Sequence, residues 1–104
     1  MMEKKKPTFA LAEIKNAFAR VKSLGGATTA SAFRGAQEAG LSRDDMITVI
    51  QALLPAHFYK SMTTYTDVQR WQDVYHAQFQ DVELYLKFTQ QPDGTYLLLS
   101  FKEK

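Results

Sequence analysis

The sequence predicts an α+β domain in which helices from the first half of the chain pack on one face of an antiparallel sheet built by the second half. Apolar residues recur at helical spacing as far as Leu53. From Phe58 onward aromatic and β-branched residues dominate, with apolar side chains alternating along the chain. Two of these alternating runs flank Gln91-Pro92-Asp93-Gly94, a turn in which proline presets one dihedral and glycine supplies a positive φ.

The first helix carries Leu11, Ile14, Phe18 and Val21 on one side, with Thr8 as its candidate cap and Gly25-Gly26 at its end. A second helix spans about residues 29–38 and is stopped by Gly40. Ser42 caps a third, whose first turn bears Asp44 and Asp45 where the helix dipole favours carboxylates. Met46, Val49, Ile50 and Leu53 form its buried stripe, and Pro55 closes it.

The first strand runs over 58–65, with Phe58, Lys60, Met62 and Thr64 on one face and Tyr59, Ser61, Thr63 and Tyr65 on the other. Val82, Leu84, Leu86 and Phe88 pair as a hairpin with Leu97, Leu99 and Phe101. Matching apolar to apolar sets Leu86 against Phe101 and Phe88 against Leu99. On the outer face it sets Tyr85 against Lys102 and Lys87 against Ser100. A bulge at Gly94 would shift the pairing by one and oppose Leu84 to Lys102, so the first register is preferred.

At 104 residues and 45% hydrophobic, the chain has the size of one domain, 1–104. It has no cysteine, and His57 and His76 are far apart, so neither a disulfide nor a metal site is expected. No apolar run is long enough for a membrane span, and Met1 to Pro7 has no apolar segment behind its charges, so a cytoplasmic location is expected. A net charge of +2 permits an anionic partner without requiring one. Lys4 to Lys6 are read as a solvated, frayed terminus.

Tyr85 beside Lys102 on an open sheet face is either a reactive pair, in which the ammonium lowers the phenol pKa, or a solvated cross-strand contact. Lys60, between apolar neighbours, is either a phosphate clamp or a snorkelling surface lysine. Gln72, next to Trp71, can hydrogen-bond a base edge or a phosphate, or be an ordinary strand residue. Aromatic residues interleaved with basic ones, Tyr59, Lys60, Tyr65, Arg70, Trp71 and Tyr75, suit single-stranded RNA, although strand aromatics also build cores. Paired carboxylates for sugar chemistry, a phosphate-cradling loop and a nucleophile elbow are absent.

Phe58-Tyr59-Lys60-Ser61-Met62-Thr63-Thr64-Tyr65, then Trp71-Gln72-Asp73-Val74-Tyr75, Tyr85-Leu86-Lys87 and the ending Ser100-Phe101-Lys102-Glu103-Lys104 together resemble the MqsR toxin family. Gly40-Leu41, Met46, Val49-Ile50 and Leu53 extend the likeness into the first half. The resemblance implies a RelE-like ribonuclease fold, no cofactor, and ribosome-independent cleavage of mRNA at short GC-containing sites. It also implies inhibition by a cognate MqsA-like antitoxin. The positions matching the family's active site are Lys60, Gln72 and Tyr85, with Met62 and Lys102 as neighbours and Tyr65, Arg70 and His76 as RNA-binding or supporting residues. Where the family carries Arg-Pro after Tyr75, this chain has His76-Ala77. His76 titrating near neutrality is expected to strengthen RNA binding as pH falls from about 7.5 to 6.

The chemistry these residues imply is attack of the ribose 2′-hydroxyl on the adjacent phosphate. Lys60 and Tyr85 divide electrostatic stabilisation and proton transfer in either order, and Gln72 orients the nucleotide. The rivals are a noncatalytic RNA- or partner-binding module and a ribosome-dependent nuclease.

Overall fold

The computed structural model describes residues 1–104. Its elements follow as β1 (Glu3–Lys4), α1 (Leu11–Ala17), α2 (Val21–Leu24), α3 (Ala30–Glu38), α4 (Arg43–Gln51), a 3-10 turn (Pro55–His57), β2 (Phe58–Met62), β3 (Gln72–Phe79), β4 (Val82–Gln90) and β5 (Tyr96–Glu103). The five strands form one antiparallel sheet in the order β1-β2-β3-β4-β5. The expected α+β arrangement is therefore present, with an added edge strand at the N-terminus. No helix is long and apolar enough to cross a membrane.

The first expected helix is in fact two. It begins at Ala10 without a side-chain cap, and Thr8 instead shares a 2.8 Å hydrogen bond with Ser61. It breaks at Phe18, whose ring is buried and lies 5.7 Å from Phe88. The side-chain amide of Gln51 donates to the carbonyls of Lys15 and Phe18 at 2.6 and 3.1 Å, taking up acceptors that the ending helix leaves free. Such long-range partners are invisible to helical periodicity.

The other two helices start where their caps predict. Thr29 accepts from Ala32 N–H and donates to the Leu99 carbonyl, so α3 is capped and tied to β5 by one hydroxyl. Ser42 and Asp45 form a reciprocal capping box on α4. α3 lies so close to β5 that a Cβ at Gly35 would collide with the Phe101 carbonyl oxygen.

The core joins Ile14, Phe18, Leu24, Met46, Ile50 and Leu53 of the helical layer to Tyr75, Leu84, Leu86, Phe88, Leu98 and Phe101 of the sheet. Register in β4–β5 matches the expected pairs Leu86–Phe101, Tyr85–Lys102 and Lys87–Ser100, but Phe88 faces Leu98 rather than Leu99. A bulge between the two stretches absorbs one residue of β5. Leu98 thus takes the core position assigned to Leu99, because the preferred register and the shifted one each hold over half the hairpin.

A second bulge corrects β2, where Phe58 pairs with Tyr75 but Lys60 already pairs with Val74. Phe58 turns inward, its ring 5.6 Å from Tyr75, while Tyr59 and Lys60 both reach the outer face. Lys60 is thus not in an apolar stripe with Phe58. The strand also ends at Met62, short of the expected Tyr65.

The N-terminus is ordered by Asp73, fully buried, whose carboxylate accepts from Thr8 N–H at 3.1 and 3.0 Å and from Phe9 N–H at 2.9 Å. Upstream, Met2 and Thr63 exchange backbone and side-chain hydrogen bonds, and β1 pairs with β2. Lys4 and Lys5 lie over the rings of Trp71 and Tyr59 at 4.3 and 4.6 Å rather than fraying into solvent.

Asp73→Asn replaces an all-acceptor group with one that presents donors to backbone donors. It is expected to cost roughly 1–3 kcal/mol, read by denaturant unfolding, with faster hydrogen exchange at Thr8 and Phe9. Unchanged exchange at those two amides would refute this role.

Candidate active site

The outer face of the sheet carries a continuous row across four strands. Tyr59 of β2 stacks on His76 of β3, centroids 4.2 Å apart at 21°. His76 faces Tyr85 of β4 as its register partner, with ring centroids 5.9 Å apart. Lys102 of β5, the partner of Tyr85, places its ammonium 5.3 Å from that ring. Period-two alternation puts them all outward because Tyr75, Leu86 and Phe101 point inward.

One pleat along lies a second row, Lys60, Val74, Lys87 and Ser100. Lys60 forms a 2.9 Å ion pair with Glu3. Hydrogen bonding to Glu3 is the main reason its pKa is raised; burial opposes this, and the charges of Glu3, Tyr59 and Tyr85 reinforce it. Lys87 is lowered, by burial first and then by Lys102. Val74 is wholly covered between the two lysine-bearing strands.

A third row holds Met62 and its register partner Gln72. Gln72 lies two rows from Tyr85, roughly 13 Å along the strand. Its Oε1 is buried and accepts no hydrogen bond. The three positions Gln72, Lys60 and Tyr85 thus occupy successive rows of one face.

Tyr85 is not pulled down by its cationic neighbours. Burial is the largest influence and raises its pKa, against a lowering by Lys60 and with a further raising by Tyr59. Half-burial of the phenol outweighs the attraction to ammonium, so the hydroxyl keeps its proton at neutral pH. The cation that matters to it is Lys60, not the Lys102 that sequence pairing nominated.

His76 also departs from expectation. Its pKa is lowered by burial, then by Lys104, with Glu83 opposing and Lys60 adding to the shift. Its surroundings therefore favour neutral imidazole over imidazolium, against the direction in which the sequence expectation runs. Tyr65, 85% exposed, and Arg70, paired with Asp67 at 3.4 Å, sit on the loop before β3 and join none of these rows.

The family model described as "Motility quorum-sensing regulator, toxin of MqsA" matches residues 6–103. The chain belongs to the MqsR toxin family. It is 44% identical over 103 residues to the mRNA interferase toxin MqsR of Escherichia coli strain K12, a match covering 99% of this chain and 100% of that protein.

In this MqsR-family chain, sequence reasoning left Glu3, Lys87 and the Tyr59–His76 stack without roles. Alternation with Tyr85 was a usable signal for Lys87. Nothing in the sequence pointed to Glu3, which reaches the site only through β1 pairing.

Tyr85 is expected to ionise above pH 10, and later still in Lys60→Met because a lowering charge is removed; ultraviolet difference titration against Tyr85→Phe isolates its signal. Burial pushes the core phenol Tyr75 up to about 12. The stability both phenols contribute is complete below pH 10 and lost as pH rises through their folded values. An onset for Tyr85 below 10, or an earlier onset in Lys60→Met, would contradict the balance of burial and charge.

Proposed function

We propose that this chain is the toxin of a toxin-antitoxin pair and an endoribonuclease that cuts mRNA, restrained by an MqsA-like antitoxin. The observation that carries the reading is an open sheet face where a charged lysine, Lys60, and a protonated phenol, Tyr85, stand in adjacent rows. Family membership and the 44% identity to a protein named an mRNA interferase support the same reaction.

The substrate brings its own nucleophile, the ribose 2′-hydroxyl, so the protein has to supply position, charge and proton transfer. A phosphate displaces Glu3 from Lys60, exchanging one anion for another, and Lys60 stabilises the charge that grows on the phosphorane oxygens. Tyr85 acts as general acid on the departing 5′-oxygen, since a phenol whose proton is held up by burial has one to give. Gln72, one row beyond Lys60, is assigned to orienting the nucleotide along the strand. Met62 offers an apolar side chain beside Gln72, and Lys102 and Lys87 hold flanking phosphates.

Charge stabilisation by Lys60 and proton donation by Tyr85 call for no metal ion, and no group of three or more His, Asp or Glu side chains is arranged to hold one. We assign the reaction as metal-independent and ribosome-independent, at short GC-containing sites. Incubating purified protein with a defined RNA without ribosomes, then mapping the cut ends, tests this directly. Intact RNA would leave a binding module, and cuts only in translated message a ribosome-dependent nuclease.

Cleavage should continue at an unchanged rate in excess chelator; dependence on added magnesium would overturn the mechanism.

Two faces of β4 give a sharper contrast. Tyr85→Phe keeps the ring and removes only the hydroxyl, so single-turnover cleavage should fall roughly 10²- to 10⁴-fold with melting and RNA affinity nearly unchanged. Leu86→Ala, one residue along, should cost about 2–5 kcal/mol of stability by opening a core cavity. Wild-type cleavage by Tyr85→Phe removes Tyr85 from the mechanism.

A further inference from the structure

We infer that His76 is the general base of this reaction, taking the proton of the attacking 2′-hydroxyl; the inference rests on the RNA-cleaving reading of the same face.

A base must sit beside the acid, keep a free lone pair and be unprotonated at working pH. His76 meets the first condition as the register partner of Tyr85. Tyr59 stacked on one ring face fixes the imidazole plane and keeps the ring edge, where both nitrogens lie, out of the stack. Neither nitrogen hydrogen-bonds within the protein, and the side chain lines an open cleft of about 210 Å³.

The surroundings favour its neutral form. From β2 it faces Tyr59 and Lys60, from β4 Glu83 and Tyr85, from the end of β5 Lys104, and His57 of the 3-10 turn shares its cleft. Burial and the two lysines disfavour imidazolium, and Glu83 only partly offsets them.

Of the groups beside it, Lys60 is held charged by its ion pair and has no lone pair to offer. Tyr85 keeps its own proton. Asp73 points to the opposite face and is filled by three backbone N–H bonds.

The step balances. The 2′-oxygen forms its bond to phosphorus as its proton passes to an imidazole nitrogen of His76. The bond from phosphorus to the 5′-oxygen breaks as that oxygen takes the proton of Tyr85. The products are a 2′,3′-cyclic phosphate and a 5′-hydroxyl, and the two side chains return to their starting states by exchange with water.

The test is single-turnover cleavage of a defined RNA from pH 5 to 8 by wild type, His76→Gln and His76→Ala, with melting curves on each. The wild-type rate should fall on the acid side with a midpoint below the ordinary histidine value of 6.5. His76→Gln should lose roughly 10²- to 10⁴-fold at pH 7.5, and that acid limb with it. Added imidazole should restore part of the activity of His76→Ala in proportion to its neutral form. Folded His76→Gln that keeps the wild-type rate and acid limb overturns the inference, as does folded His76→Ala that ignores imidazole. If Tyr85→Phe is impaired while His76→Gln is not, the RNA-cleaving reading stands and the base assignment falls. A wild type that cuts no RNA at any pH overturns the reading beneath both.

Discussion

Strand β4 has to satisfy two environments with one backbone, and the period of two that lets it do so constrains everything else. Leu84, Leu86 and Phe88 are wholly buried, and each such side chain is worth about 1.5–3 kcal/mol against exposure. A slip of one residue would expose all three and drive Lys87 into the core, so the register is held by several times the energy of any surface contact. Tyr85 therefore faces outward because its neighbours must face inward. The site inherits its precision from the core behind it.

The neighbouring strands adjust to β4 through bulges. In β5 the extra residue at Leu99 lets Tyr85 meet Lys102 while Leu98 still fills the core opposite Phe88. In β2 the bulge turns Phe58 inward and brings two successive residues, Tyr59 and Lys60, to the outer face. That doubling places an aromatic ring on His76 and an ammonium one row further. Asp73 completes the arrangement from the core side, since its bonds to Thr8 and Phe9 lead the chain to the edge where Glu3 meets Lys60.

The helix-then-strand order, the caps at Thr29 and Ser42 and the outward direction of Tyr85 were legible because each depends on residues close in sequence. The break at Phe18 was not, because it is compensated by Gln51 more than thirty residues away. The β3–β4 turn was equally hidden: it uses Gln80 at φ 55° and Asp81, with no glycine, proline or asparagine to announce it. Both bulges interrupt alternation in runs where either phase looks apolar, as Leu97, Leu98 and Leu99 illustrate. At the site, residue types and faces could be read, but the protonation of Tyr85 and His76 could not, because burial decides it and burial belongs to the folded chain.

In the proposed reaction, that last point bears on how the face divides its labour. Sequence pairing favours a lowered phenol beside a cation; the folded environment raises it, which suits Tyr85 to the acid role in the proposed reaction. Exchanging Glu3 for a phosphate leaves Lys60 with an anionic partner, so its charge is retained, and brings negative charge near Tyr85, which holds the phenolic proton more tightly still. The proton moves only when the bond from phosphorus to the 5′-oxygen stretches and that oxygen gains the basicity of an alkoxide, stronger than a phenolate. Transfer is then timed by the reaction itself: the acid is inert toward the resting phosphodiester and competent toward the transition state, which is the condition for lowering the barrier rather than merely binding the substrate.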